Sequence, residues 1–405
     1  GPASTEPPTD SPNAPAEPSD ALLVVGQRGQ DGLQVILAST HEQIARLPLG
    51  VADGRWGTIV SATSTNDRTT ISELEIESDT VGRSQTIDGT WRLPAVGSDP
   101  LPVGVSGDGL TIVLVDASPG AGGGTSRFAV VSRALDAPPR IIELTGSFEF
   151  DALSNDGSIL YVVEHMPVPP EGHYQVRAVE VASGSLREGV IVDKAGNGEA
   201  MAGYPVAQLR RPNGFVFTLY RGADHPFIHA LSSTDGWALC IDLPGTGALD
   251  TAAALDWGLT PSADGLSIFA VNATLGLAVE VDPNDLSVRR TARFETPPSA
   301  PISLAKFGHE EGGPVGQRVV ASPDGSTLYA AGSGGIVRIA ADSLAVTGTF
   351  LPGAAIDALA LTRDGGTLYA LVHAGGRIVR LDTASGDEAQ VPGGGFDRLV
   401  AIIPL

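Results

Sequence analysis

One phrase recurs along this chain and restricts its fold more than any other feature: an apolar strand, a turn ending in Asp-Gly or Asn-Gly, then a second apolar strand. The copies are Val51-Ala-Asp-Gly-Arg-Trp56, Val105-Ser-Gly-Asp-Gly-Leu110, Leu153-Ser-Asn-Asp-Gly-Ser158, Arg211-Pro-Asn-Gly-Phe215, Ser262-Ala-Asp-Gly-Leu266, Ala321-Ser-Pro-Asp-Gly-Ser326 and Leu361-Thr-Arg-Asp-Gly-Gly366. Their glycines, at 54, 109, 157, 214, 265, 325 and 365, recur on average about every 52 residues. The phrase is hairpin chemistry. Pro fixes φ at a corner, Asp bonds nearby backbone amides, and Gly accepts φ > 0.

After each turn comes a mostly apolar strand such as Thr327-Leu-Tyr-Ala-Ala331, which reads as buried on both faces. A third strand follows, Ile336-Val-Arg-Ile-Ala340 or Arg377-Ile-Val-Arg-Leu381, alternating apolar and charged residues as one-sided strands do. A fourth, such as Ala345-Val-Thr-Gly-Thr-Phe350, completes the unit. Four antiparallel strands per period make a propeller blade, so the expected fold is an all-β β-propeller over residues 21–405. The stretch Ser322-Pro-Asp-Gly-Ser-Thr-Leu-Tyr-Ala330, with Ile336 to Phe350, resembles the YVTN family of bacterial β-propeller repeats. The resemblance covers residues 21–405 and implies the fold, not an activity.

Counting second strands from Leu22 to Thr367 predicts eight blades, with seven the alternative; the blade near Val51 has a short inner strand. The segments 21–26, 33–38 and 43–47 look like strands two, three and four of a blade that lacks its first. The orphan C-terminal strand beginning at Arg398 is expected to fill that innermost place and close the ring, which removes an open sheet edge.

Residues 1–20 hold six prolines and no large apolar side chain, the composition of a disordered linker. Gly1-Pro2 in place of an initiator methionine, ahead of such a spacer, leads us to expect an extracytoplasmic protein, secreted or held at the outer face of the membrane by a lipid or membrane anchor. The single cysteine, Cys240, excludes an internal disulfide and a Cys-based zinc site, and its apolar surroundings suggest a small core residue. A formal net charge of -22 disfavours nucleic acid and anionic membrane surfaces as partners. A monomer is expected, with no bilayer insertion by these residues.

The loops joining strand two to three, and strand four to the next blade, share one face of a propeller, here the top face. The strand scheme puts Glu164, His165, Glu171 and His173 in one top-face loop, Asp224 and His225 in a second, His309, Glu310 and Glu311 in a third and His373 in a fourth. Imidazoles and carboxylates converging from several blades could hold a divalent metal, or act as acid and base in a lactonase- or lyase-like reaction. The competing reading is that polar residues in long loops are simply solvated. No cofactor-binding motif is present, and Trp56, Trp91, Trp237 and Trp257 share no period that would stack a quinone. The leading expectation is a module binding a protein or small molecule through its top face; a metal-dependent enzyme with His165, His225, His309 or His373 and the neighbouring Glu164, Asp224 or Glu310 is the alternative.

Overall fold

A computed structural model describes residues 21–403 apart from 79, 97–102, 119–123, 167–172, 192–200, 223, 246–251 and 298–315. The proline-rich leader, His309 and Glu310 therefore lie outside the described residues. Strands dominate, and the one helical element described is a single 3-10 turn, Ala252–Leu255. None of the described helices is long and apolar enough to cross a membrane.

The described strands form eight four-stranded antiparallel blades. Blade 1 comprises 22–47 with 396–403, blade 2 50–88, blade 3 91–145, blade 4 148–186, blade 5 201–242, blade 6 257–293, blade 7 319–350 and blade 8 356–390. Blades 4 and 5 are stitched into one larger sheet because His173 and Tyr174 pair with Ala202 and Met201. The innermost strand of blade 1 is Phe396–Ile403, paired antiparallel with Leu22–Gln27. Blade 2 has the short inner strand anticipated from sequence, Gly50–Ala52. In blade 3 the inner strand comes in two pieces, Trp91–Arg92 and a bridge from Val105 to Ile112.

The core is distributed as wedges between blades. Eight apolar clusters each join two neighbours, from blades 1 and 2 round to blades 8 and 1. Second strands such as Ile268–Asn272 are buried along their whole length because wedges cover both faces. A fully buried Val or Leu there contributes about 1.5–3 kcal/mol. Outermost strands such as Ser287–Arg293 lie mainly in solvent. The third strands are more buried than their alternation suggested, since both faces meet a neighbouring blade: in Gly335–Ala340 the charged Arg338 is half-buried, its guanidinium over the Phe350 ring at 6.0 Å.

The repeated turns share one backbone pattern, and it corrects the register of the first copy. In six blades the amide of a left-handed glycine donates back to the first carbonyl of the turn, as Gly109 does to Ser106 and Gly325 to Ser322, both at 2.9 Å. In blade 2 the residue in that position is Trp56, with φ 56° and its amide 3.0 Å from the Asp53 carbonyl, whereas Gly54 is not left-handed. The sequence match on Asp53-Gly54 was displaced by two residues.

Candidate functional site

Each innermost strand runs from the top face toward the Asp-Gly turns, so the residues singled out from sequence should gather where these strands begin. Two of them do occupy equivalent positions. The amides of His165 and His373 donate to the Ser147 and Ala355 carbonyls at 2.9 Å, just ahead of the inner strands of blades 4 and 8. Two residues beyond each carbonyl stands an acid. His165 Nε2 lies 3.2 Å from Glu149, and His373 Nδ1 lies 2.9 Å from Asp357. Interaction with Glu149 raises the His165 pKa, partly opposed by desolvation. Each pair is internal to its own blade.

The other candidates go elsewhere. His225 pairs at 2.8 Å with Asp242, on the outermost strand of blade 5, far from the inner strands. Glu164 is held by Arg177 at 2.6 Å, and Asp224 is exposed. Among the described residues no three His, Cys, Asp or Glu side chains come close enough to hold a metal ion. Cys240 is half-buried, its sulfur 3.7 Å from that of Met201.

At the other end of the channel, near the Asp-Gly turns, lies a cavity of about 390 Å³. Its walls come from inner strands and turns of blades 1 to 5: Val400; Val51, Asp53 and Trp56; Val103 and Val105; Phe150 and Ala152; Gln208 and Arg210. That volume lies within the range of small-molecule sites, as does the mixture of apolar walls and a few polar groups. Asp53 belongs to its turn: its carboxylate accepts the amides of Arg55 and Gly57 at 2.9 Å and of Thr58 at 3.2 Å. Its pKa falls on balance because these hydrogen bonds outweigh desolvation, the largest single contribution.

Arg210 spans from blade 5 to blade 4, donating to Asn155 Oδ1 at 3.1 Å and to the Leu153 carbonyl. Behind it Asp151 sits at a bulge between Phe150 and Ala152. It is 1% exposed, and neither carboxylate oxygen has a hydrogen-bond partner among the described residues. Burial pushes its pKa up to about 7, the Arg210 charge opposing. Gln208 donates to the Asp151 carbonyl at 3.1 Å and to Thr218 Oγ1 at 3.0 Å. Register places Gln208, Thr218, His229 and Cys240 opposite one another on successive strands, a polar row running outward from the cavity wall. His229 is buried beside Tyr220, its Nδ1 without a partner among the described residues, and desolvation lowers its pKa to about 4.

Sequence reasoning passed over Trp56, Asp151 and Arg210. A signal existed for one of them: Phe148-Glu-Phe-Asp-Ala-Leu153 carries a second carboxylate deep in a strand of core pattern.

No protein-family model and no curated protein matches the sequence. Solved structures do. Apo AztD from Citrobacter koseri superposes with a TM-score of 0.54 at 11% identity, over 94% of this chain and 98% of that one. The dihydro-heme d1 dehydrogenase NirN, in complex with DHE, gives 0.53 at 14% identity, over 96% of this chain and 76% of the other. Identities this low speak for shared architecture and nothing finer. With the blade pairing described above, they establish the chain as a β-propeller.

Proposed function

We propose that this protein is a binding propeller that takes a small ligand into the channel cavity and performs no chemistry on it. The observation carrying this reading is the cavity itself, where Trp56 and Phe150 supply apolar surface and Arg210 supplies a guanidinium with N–H groups beyond the two it gives to blade 4. The catalytic alternative has less support, because His165, His225 and His373 each pair with one carboxylate in separate places. The composition of residues 1–20 suits a protein presented outside the cytoplasm. The binding site is thereby assigned to the turn end of the channel, not to the top face favoured from sequence.

A ligand that binds only the folded chain raises its thermal midpoint by mass action. Thermal-shift screening of the purified protein against small organic acids, amines and sugars, run beside Val103→Phe, tests the reading. The larger side chain should fill the cavity and abolish any shift while leaving the unliganded midpoint near that of wild type. A screen in which no compound shifts the wild-type protein, or in which Val103→Phe responds equally, would overturn it.

A further inference from the structure

Trp56 occupies a backbone position that six other blades give to glycine. The equivalent amide bonds are Gly109 to Ser106, Gly157 to Ser154, Gly214 to Arg211, Gly265 to Ser262, Gly325 to Ser322 and Gly365 to Thr362, between 2.8 and 3.1 Å. A bulky side chain at φ 56° is disfavoured by contact between its Cβ and the backbone. Glycines stand close by, at 54 and 57, yet the left-handed corner falls on the tryptophan. The turn tolerates this because the one Asp53 carboxylate satisfies the amides that Ser106 and Asp108 share in blade 3, where Thr111 donates to Ser106 Oγ and Leu110 to Asp108 Oδ1, both at 2.9 Å. Leu135, Leu286, Leu344 and Leu351 hold a similar φ away from the cavity; of these bulky left-handed residues Trp56 forms part of the cavity wall.

The same cavity has one basic residue among its described lining, Arg210. The Asp53 carboxylate is committed to its turn, and Asp151, behind Arg210, has among the described residues no hydrogen bonds that would favour its charged form. A guanidinium in this setting favours an anion. An indole beside it favours a flat ring.

We propose that the cavity binds a planar ring carrying an anionic group, with the ring packed against Trp56 and the anion directed at Arg210. This rests on the reading of the cavity as a binding site and narrows it to one ligand chemistry.

Calorimetric titration of the full chain with 2-naphthoate, 1-naphthyl phosphate and cyclohexanecarboxylate tests it. One or both naphthyl anions should bind, the tighter of the two identifying carboxylate or phosphate, and the non-planar acid should bind at least about tenfold more weakly. Trp56→Gly should weaken the naphthyl anion at least about tenfold while its thermal midpoint stays within about 3 °C of wild type, since lost packing is offset by relief at the left-handed corner. Trp56→Phe, which keeps an aromatic face, should retain most of the affinity. Three results overturn the inference: unchanged affinity in Trp56→Gly, a preference for cyclohexanecarboxylate, or no binding of any of the three. The last two leave the broader ligand screen free to succeed, so failure of the ring-and-anion chemistry is distinguishable from failure of the cavity as a site.

Discussion

Arg318 of blade 7 places Nη1 2.9 Å from Oδ1 of Asp256, at the head of blade 6, with the two side chains only 12% and 3% exposed. Asp256 Oδ2 also accepts the Thr274 hydroxyl at 2.5 Å, and that hydroxyl accepts the Ser333 amide at 2.9 Å. The ion pair is thus the centre of a polar seam between two blades that also share an apolar wedge. At this burial the decisive quantity is the charge left behind when one partner is removed. Arg318→Met should destabilise the fold by about 3–5 kcal/mol, whereas Arg318→Met combined with Asp256→Asn should recover much of that loss. Denaturant unfolding of the two single variants and the double variant would measure the coupling; strictly additive losses would contradict it.

Asp151 and His229 should impose opposite pH dependences on stability from within the wedge between blades 4 and 5. Asp151, near Arg210, Tyr174 and Tyr220, has its pKa raised from 3.8 to about 7. Its folded form keeps a proton that the unfolded chain releases, so its contribution is complete below 3.8 and is lost as pH rises through about 7. At 1.36 kcal/mol per unit that is worth about 4 kcal/mol. His229 is lowered from 6.5 to about 4, so its contribution is present above 6.5 and is lost as pH falls toward 4. In the window both cover, the two slopes cancel. Thermal melts from pH 4 to 8 should therefore show Asp151→Asn more stable than wild type at pH 8 and weakening toward acid. His229→Gln should instead weaken steadily from acid to neutral. Three superimposable profiles would show that neither group titrates as described.

The left-handed turn glycines should differ in what they tolerate. A Cβ at Gly109 would meet nothing nearer than Arg133 Nη1 at 3.4 Å, while one at Gly157 would fall 2.2 Å from Thr111 Oγ1, in the neighbouring blade. Gly109→Ala should cost about 1 kcal/mol for its φ alone. Gly157→Ala adds an overlap with blade 3 and should cost about 2–3 kcal/mol. Urea titrations would separate the two, and equal losses would argue that the overlap relaxes freely.

His165 and His373 each contact a different carboxylate in a different blade, so replacing them should have independent effects. His165→Ala and His373→Ala should each change stability by under about 1 kcal/mol and sum in the double variant. Zinc titration of the same proteins should reveal no site that both substitutions abolish. A shared, jointly lost zinc site would restore the metal-centred reading that the sequence suggested.

The blade repeat was legible in the sequence because it depends on local chemistry: Asp and Gly at turns, continuous apolar runs in second strands, and a spare C-terminal strand for a blade short of one. Eight blades, the short inner strand at Gly50–Ala52 and the pairing of Phe396–Ile403 with Leu22–Gln27 followed from those local signals. The site did not follow, because it depends on which side chains meet across wedges and around a channel. His165, His225 and His373 looked convergent as positions in a strand scheme, yet each found its acid within its own blade, where strand pairing brings residues together at short range. Trp56 looked like ordinary packing until the backbone placed it at the left-handed corner in place of Gly54. Asp151 and Arg210, 59 residues apart in the chain, acquire their shared character from a wedge that excludes water around both. Local turn and strand preferences act over a few residues and fix the blade. Desolvation and the meeting of distant side chains arise only once the blades are packed face to face.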